Sequence, residues 1–584
     1  MRSDLMAAMA MEACEAAVPY TLLGFLLRRG EAAVLCSDFD PSWSRFMRYY
    51  YERGTNALLW IALICVTFLL FGKLARIVMF WVKGNRIPGP PCSSFFGCSN
   101  LAVALGSGAN LTSYLSKLHE KYGPVVRLWL GPSQLLVSVK DVALIKEMLI
   151  KAQDKLPLTG RIYSLAFGRL SLFVSSFEKV KKRRESLAEY MNGKFAERAN
   201  RSPQKIIDIV MERIDSLMEK GFLDSRSFSQ HMAFYILGVT LFGEAFLNWS
   251  NAATYEELLM IVAKDGCFWA SYKVPPFWKR GYWRYQSLCG RLKHLSKDIV
   301  QRSRCNHNSI GQNGQCSCEK TEGIKKTVGR EAAVLFDNTL LDNFFDREIE
   351  GSLCLKEESL GNILALMFHG CLTTASLIDS ILTRLVLRPK LQNQLYSEII
   401  AVREETCELD KDSVQNMQFL LATVYESARL LPAGPLLQRC SLTHDLSLKS
   451  SVTIPSGAVI VVPLQLVQLD NSIWGEDACE FNPHRFLSNS TKGTSEVYND
   501  SSGGPFIIQP NKTATFLPFG SGSRACIGQK FAILEISALF ASLLQNYEIR
   551  LQPGLTTKRE PTMVDCVHQL LPNPKIVFMK RSVA

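Results

Sequence analysis

The segment Phe519-Gly-Ser-Gly522-Ser-Arg524-Ala-Cys526-Ile-Gly528 carries the most specific chemistry in the chain. Two glycines ahead of the cysteine permit a tight loop with close backbone approach. The apolar pattern Ile527, Phe531, Leu534, Leu539 that follows is amphipathic, which places Cys526 at the start of a helix. A helix N-terminus offers backbone N–H groups and a positive dipole to a thiolate. Arg524 adds a nearby cation. Such a site suits an ionised sulfur that binds a metal. The plain alternative is a buried structural cysteine, the usual fate of a lone one.

A second constellation lies upstream. Glu426-Ser-Ala-Arg429 puts a carboxylate and a guanidinium at i and i+3 on one helix face. Alone it reads as a surface ion pair. It is followed by Pro432-Ala-Gly-Pro435, then Arg439, then Phe481-Asn-Pro483-His-Arg485-Phe486. With the pattern Phe-x-x-Gly-x-x-x-Cys-x-Gly, this order resembles the cytochrome P-450 family. The resemblance implies the cytochrome P-450 fold, mainly α-helical with a small β region. It also implies haem b (iron protoporphyrin IX) as cofactor, with Cys526 as axial thiolate ligand in a loop that includes Phe519, Gly522 and Gly528. Arg184, Arg439 and Arg524 would pair with haem propionates. Glu426, Arg429 and Arg485 would form a structural charge network, since buried charges survive only when paired. Leu387-Arg-Pro389 through Leu395 and Ile454-Pro455-Ser-Gly457 are softer matches to the same family.

Arg184 closes the run Glu178-Lys-Val180-Lys-Lys-Arg183-Arg184, similar to the family's Trp-x-x-x-Arg helix. Val180 stands where Trp is usual, so an indole donor is missing. Most of these charges read as a solvated helix face. The resemblance puts that face on the thiolate side of the haem. Lys179, Lys181, Lys182 and Lys530 would then meet an acidic NADPH-dependent flavoprotein reductase.

The long apolar stretch Leu360 to Leu382 contains His369-Gly370-Cys371-Leu372-Thr373-Thr374, similar to the family's Ala/Gly-Gly-x-Asp/Glu-Thr-Thr. There Thr373 would hydrogen-bond dioxygen and relay protons, and Gly370 would loosen the helix ladder. Leu372 departs from the pattern: the acid is missing, and Asp379 lies too far along the helix to replace it obviously. His369 replaces a small residue over the haem face. It would donate to bound oxygen, ligate iron, or turn into the helix packing; the packing reading is preferred.

These residues need elements to position them. Ala57 to Gly72 is uncharged, and the apolar character resumes to Val82 past Lys73 and Arg76. At about 1.5 Å per residue the uncharged run nearly spans a bilayer core. We read 57–82 as a membrane anchor, with a slight excess of cations after it favouring the following side as cytoplasmic, and endoplasmic reticulum as the expected membrane. Residues 1–56 are of unclear role; Ala16 to Leu27 is a signal-like run, a second membrane contact or an artefact of the start site. Residues 83–92 contain Pro88, Pro90 and Pro91 and form a stiff, hinge-like break. Residues 93–584 form the catalytic domain. It includes short strands over Val125 to Leu130 and Leu135 to Val139, and polar insertions at 301–326 and 488–515. Cys305, His307, Cys316 and Cys318 in the first insertion lack the paired spacing of a zinc site.

Composition is consistent with this division. Of 584 residues, 47% are hydrophobic and 21% charged, which excludes a disordered chain, collagen and a small disulfide scaffold. The 17 cysteines read as reduced thiols. A net charge of +12 suits an acidic partner or an anionic membrane surface, and by itself does not imply nucleic acid, of which no binding is expected. No P-loop or dinucleotide motif is present, so electrons would come from a separate protein. The expected activity is a monooxygenase acting on a small hydrophobic molecule. Two alternatives stay open: a haem-thiolate isomerase or dehydratase of peroxides, suggested by Leu372, and a non-catalytic haem-binding membrane protein with its distal site blocked by His369.

Overall fold

In a computed structural model, the described residues are 41–91, 111–131, 134–154, 165–168, 171–192, 222–270, 277–311, 353–405, 411–434, 436–441, 443–449, 452–487, 515–553, 562–564, 569–571 and 574–581. The chain divides into two units, residues 1–78 and 79–584. In the first, a helix running from Pro41 to Asn85 carries exposed apolar side chains such as Trp60, Phe68 and Phe71. Its part from Arg53 to Asn85 is long and apolar enough to cross a membrane. The apolar run Ala16 to Leu27 lies outside the described residues.

Within the second unit, the last turns of that helix pack on a small sheet. Trp81 stacks on Trp129 with ring centroids 4.3 Å apart, and Trp129 Nε1 donates to Asn85 Oδ1 at 3.0 Å. The prolines end the helix there, because they lack an N–H and fix φ. The segment beyond is held by strand Val125–Gly131: Arg127 N donates to Pro88 O at 2.8 Å, and Ile87 is buried. The sheet order is Val125–Gly131, Gln134–Val139, Val459–Pro463, Leu436–Arg439. The first pair is antiparallel, Val126 opposite Ser138; the second is parallel, Leu136 opposite Val459. The fourth strand pairs antiparallel, Arg439 opposite Ile460, and so carries Arg439 to the sheet edge. Both expected strands, over Val125 to Leu130 and Leu135 to Val139, are present.

The larger core is helical. The helix Leu353–Leu387 packs lengthwise on Ser225–Phe242, and Gln529–Asn546 packs on Gln418–Leu430 and Pro389–Glu405. Close approach explains one glycine: a Cβ on Gly370 would lie 2.7 Å from Leu237 Cδ1. Gln392, in the softer motif after Pro389, ties its helix to strand Tyr547–Leu551 by donating to Ile549 O at 2.7 Å and accepting from Ile549 N at 3.0 Å. Gly457, in the Ile-Pro-Ser-Gly turn, has φ of +84° and leads into strand Val459–Pro463.

One expected boundary differs. Helix Arg280–Gly311 continues through 301–311, where polar composition reads as a loop. Gln and Arg are good helix formers, and Ile299, Val300 and the Ser303 bond to Phe242 O (3.1 Å) keep one face attached to the core. The rest of that insertion, and residues 488–514, lie outside the described residues. No cluster of three metal-ligating side chains occurs among the described residues.

A side chain at position 84 would meet Trp129 at 2.7 Å and Leu135 at 2.9 Å, whereas position 290 is open. Gly84→Ala is therefore expected to lower thermal stability by about 1–3 kcal/mol through overpacking. Gly290→Ala, on an exposed helix face, should raise it by about 0.5–1 kcal/mol. Thermal unfolding of the solubilised protein checks both.

Candidate active site

Cys526 lies in a loop between a short 3-10 turn at Gly522–Arg524 and the helix Gln529–Asn546. Gly520 and Gly522 both adopt φ of +71°, a region that a side chain disfavours. These two reversals let Cys526 N donate to Phe519 O at 2.8 Å and Ala525 N to Gly522 O at 2.9 Å. The thiol itself is exposed. The helix starts three residues beyond it, capped at Gly528.

Around this loop sit three buried guanidinium groups: Arg184 at 7%, Arg439 at 1% and Arg524 at 4% exposure. Each comes from a different element. Arg184 lies on the inner face of Phe177–Asn192, with Val180, Leu187 and Met191 at helical spacing. It donates Nε to Ser523 O at 3.2 Å and Nη2 to Ala525 O. Lys179, Lys181 and Lys182 occupy the outer, exposed face, and Lys530 is exposed on the helix after the loop. Val180 is fully buried, so the residue replacing the family's Trp is a core side chain here.

Arg524 donates one bond from each nitrogen to backbone carbonyls: Nε to Gln153 O at 3.0 Å, Nη1 to Leu172 O at 3.2 Å and Nη2 to Ser175 O at 3.1 Å. Its guanidinium also lies 5.0 Å above the Phe177 ring. Arg439 Nη1 donates to Gln438 O at 2.9 Å, but its Nη2 is buried without a hydrogen-bond partner. That nitrogen lies 3.8 Å from where a Cβ on Gly520 would stand, so it faces the cysteine loop.

Burial first, and then the neighbouring guanidiniums, push Arg439 and Arg524 each down to about 10. Arg184 is lowered by burial, while Cys526 opposes the shift. Among the groups acting on the three, Asp154 is the one carboxylate, raising Arg524. It is also engaged elsewhere, accepting from Phe177 N at 2.7 Å to start the basic helix. Asp154 and Gln153 are thus site-forming residues that sequence patterns did not single out.

The other predicted charge cluster is complete. Glu426 receives Arg429 Nε at 2.7 Å and Nη2 at 2.8 Å, Arg485 Nε at 3.1 Å and Asn482 N at 2.9 Å. Arg429 also donates to Ala478 O at 2.8 Å, and Arg485 to Trp474 O at 3.0 Å and Asp477 Oδ2 at 2.8 Å. Glu398 caps the same helix by accepting from Phe419 N at 2.7 Å and Leu420 N at 2.9 Å. This cluster holds the chain before the cysteine loop, and its centre is closed: Glu426 and Arg429 are fully buried, with Asp477 at its exposed edge.

On the long helix, every residue from Gly361 to Val386 is buried except Leu366, His369, Gly370, Leu372 and Thr373. Leu366, His369, Gly370 and Thr373 recur at i, i+3, i+4 and i+7 and form the least buried, open stripe of this helix segment, exposed at Thr373 and closed by Leu237 at Gly370. Thr373 is exposed, and its hydroxyl donates to His369 O at 2.8 Å. His369 is partly buried, with its ring 5.2 to 5.6 Å from those of Phe173, Phe368 and Phe167. Leu372 packs against the core. Asp379 faces away from the stripe, accepting from Ser225 Oγ at 2.7 Å, with burial raising it to about 6.

The mainly helical unit thus brings an exposed cysteine, three buried guanidiniums and one buried unsatisfied nitrogen to a single loop, an arrangement that suits an anionic group. An arginine nitrogen of this kind fits a carboxylate, and a propionate-bearing haem supplies two. The sequence model for Cytochrome P450 matches residues 87–578. The chain belongs to the cytochrome P450 family, and membership implies a haem cofactor. It is similar to a probable cytochrome P450 525A1 of Dictyostelium discoideum, 29% identical over 36% of this chain and 34% of that protein. It is also similar to an 11-oxo-beta-amyrin 30-oxidase of Glycyrrhiza uralensis, 29% identical over 41% of this chain and 42% of the relative. A probable cytochrome P450 313a4 of Drosophila melanogaster matches at 23% identity over 84% of this chain and 93% of its own length. The first five relatives are covered over only 32 to 42% of their own length.

Removing the Glu426 charge leaves the buried Arg429 guanidinium without its carboxylate and the partly buried Arg485 with Asp477 as its remaining carboxylate. Glu426→Gln is expected to cost about 3–5 kcal/mol, read by chemical unfolding. Asp379 titrates higher folded than unfolded, so its neutral form is favoured in the fold. Its contribution to stability is complete below pH 3.8 and is lost as pH rises through about 6. Asp379→Asn should therefore raise the thermal midpoint at pH 8 and leave it unchanged at pH 4.

Proposed function

We propose that the chain is a membrane-anchored haem-thiolate monooxygenase that inserts one oxygen atom from dioxygen into a small hydrophobic molecule. The observation that carries this reading is the buried, unpartnered Arg439 Nη2 facing the loop of exposed Cys526. Cys526 would ligate iron, with Arg439, Arg184 and Arg524 toward the propionates. Haem b, when bound, supplies the oxygen chemistry, and a thiolate ligand donates electron density that favours O–O cleavage. Phe519, Gly522 and Gly528 shape the loop. Glu426, Arg429 and Arg485 hold its support rigid.

Residues on the long helix would act on the other side. Its stripe of Leu366, His369, Gly370 and Thr373 offers an apolar wall with one hydroxyl and one imidazole. The Thr373 hydroxyl, now bonded to His369 O, would turn to hold a proton near the reacting oxygen. Water would carry the proton in, since Leu372 supplies no carboxyl. The domain plan is one anchor over 57–82, a Pro-rich connection over 83–92 and a catalytic domain over 93–584. The side after the anchor would face the cytosol, with the endoplasmic reticulum as the membrane. Exposed Lys179, Lys181, Lys182 and Lys530 would meet an acidic NADPH-dependent flavoprotein reductase.

One observation favours a second reading. The open stripe carries no carboxyl, and Asp379 is occupied with Ser225. A haem-thiolate isomerase or dehydratase of peroxides needs no external electrons and fits such a stripe. Turnover of a lipid hydroperoxide without NADPH or reductase selects this reading; dioxygen- and NADPH-dependent product formation selects the monooxygenase.

The reduced protein with carbon monoxide is expected to show the thiolate-type Soret band, absent in Cys526→Ala. An unchanged band in that variant excludes Cys526 as the ligand.

A further inference from the structure

The turn at 171–177 touches both the long helix and the cysteine loop. Leu172 N donates to Asn362 Oδ1 at 2.8 Å, and Asn362 is buried on the long helix. The carbonyl of the same Leu172 accepts from Arg524 Nη1 at 3.2 Å, and that of Ser175 accepts from Nη2 at 3.1 Å. Val174 N and Ser175 N both donate to Ser171 O, at 3.1 and 3.0 Å, so the two carbonyls that face Arg524 belong to one closed turn. Phe173, in the middle of it, lies 5.2 Å from His369 on the open stripe. Helix and turn region also meet at backbone level, since a Cβ on Gly361 would run into Phe167 O. Arg524 stands two residues before Cys526.

Asn362 reaches the cysteine loop through this chain of bonds: Asn362 to Leu172, Leu172 and Ser175 to Arg524, and Arg524 to the loop. We propose that Asn362 is a positioning residue for Cys526: it fixes the 171–177 turn, the turn fixes Arg524, and Arg524 fixes the loop that presents the thiol. A shift of the long helix at its open stripe is thereby felt on the sulfur side. This rests on the reading of Cys526 as the iron ligand.

The test is a double-mutant cycle on the haem-loaded protein, with Asn362→Leu and Arg524→Lys singly and together. The readouts are the rate at which the thiolate-type carbon monoxide band is lost on warming and the haem midpoint potential. Asn362→Leu strands the buried Leu172 N–H, and is expected to speed band loss about tenfold. Adding Arg524→Lys should then bring much less than its own single effect, because both act through one turn. Additive effects, or an Asn362→Leu protein with the wild-type rate and potential, overturn the inference. Should Asn362→Leu fail to take up haem, Asn362→Ser replaces it in the cycle. A wild-type protein with no thiolate band overturns the ligand reading, and this inference with it; a wild-type band with additive substitutions overturns the inference alone.

Discussion

Three guanidinium groups held out of water beside one cysteine loop set the terms for this structure. Burial disfavours their charge, and each makes the next worse, which is why Arg439 and Arg524 are pushed down to about 10. A cluster like this is stable only when something anionic shares it. Asp154 is already capping the basic helix, and backbone carbonyls satisfy Arg184 and Arg524 only as dipoles. An anionic group carrying carboxylates would complete the arrangement. The contrast with Glu426 is instructive: there two arginines share one carboxylate with good geometry, and the cluster is closed.

The fold can be understood as the scaffold these two clusters require. The sheet edge delivers Arg439, the basic helix delivers Arg184, and the 3-10 turn delivers Arg524. The closed Glu426 cluster fixes the preceding chain, so the glycine reversals at 520 and 522 can aim Cys526 outward. Opposite them in function, the long helix buries nearly every residue and leaves a stripe around Thr373 open. The 171–177 turn connects the two regions through Asn362 and Arg524.

Much of this is legible in the sequence. The cysteine loop is a local pattern of residue type and spacing, whereas the Glu426-x-x-Arg429 pair alone reads as a surface ion pair, and its burial and its third member Arg485 come from the family resemblance. The two faces of the basic helix also separate by period alone: Arg184 falls with Val180 and Leu187, and the lysines fall opposite. Other features were not legible, for a physical reason. Asn362 meets Leu172 across 190 residues, and Arg524 meets Gln153 across 371, so no local pattern marks either bond. Gly370 reads as a loosened helix ladder, whereas its position against Leu237 shows it is also where two helices approach closely. The stretch 301–311 looks like a loop because its residues are polar, but a solvent-facing helix is polar too.

In the proposed arrangement Cys526 holds haem iron through its sulfur, and the arginines hold the propionates. Iron-edge X-ray absorption of the purified protein tests it most directly. The expected result is a first-shell sulfur scatterer at iron, lost in Cys526→Ala. A first shell of nitrogen and oxygen alone in the wild-type protein would contradict the account.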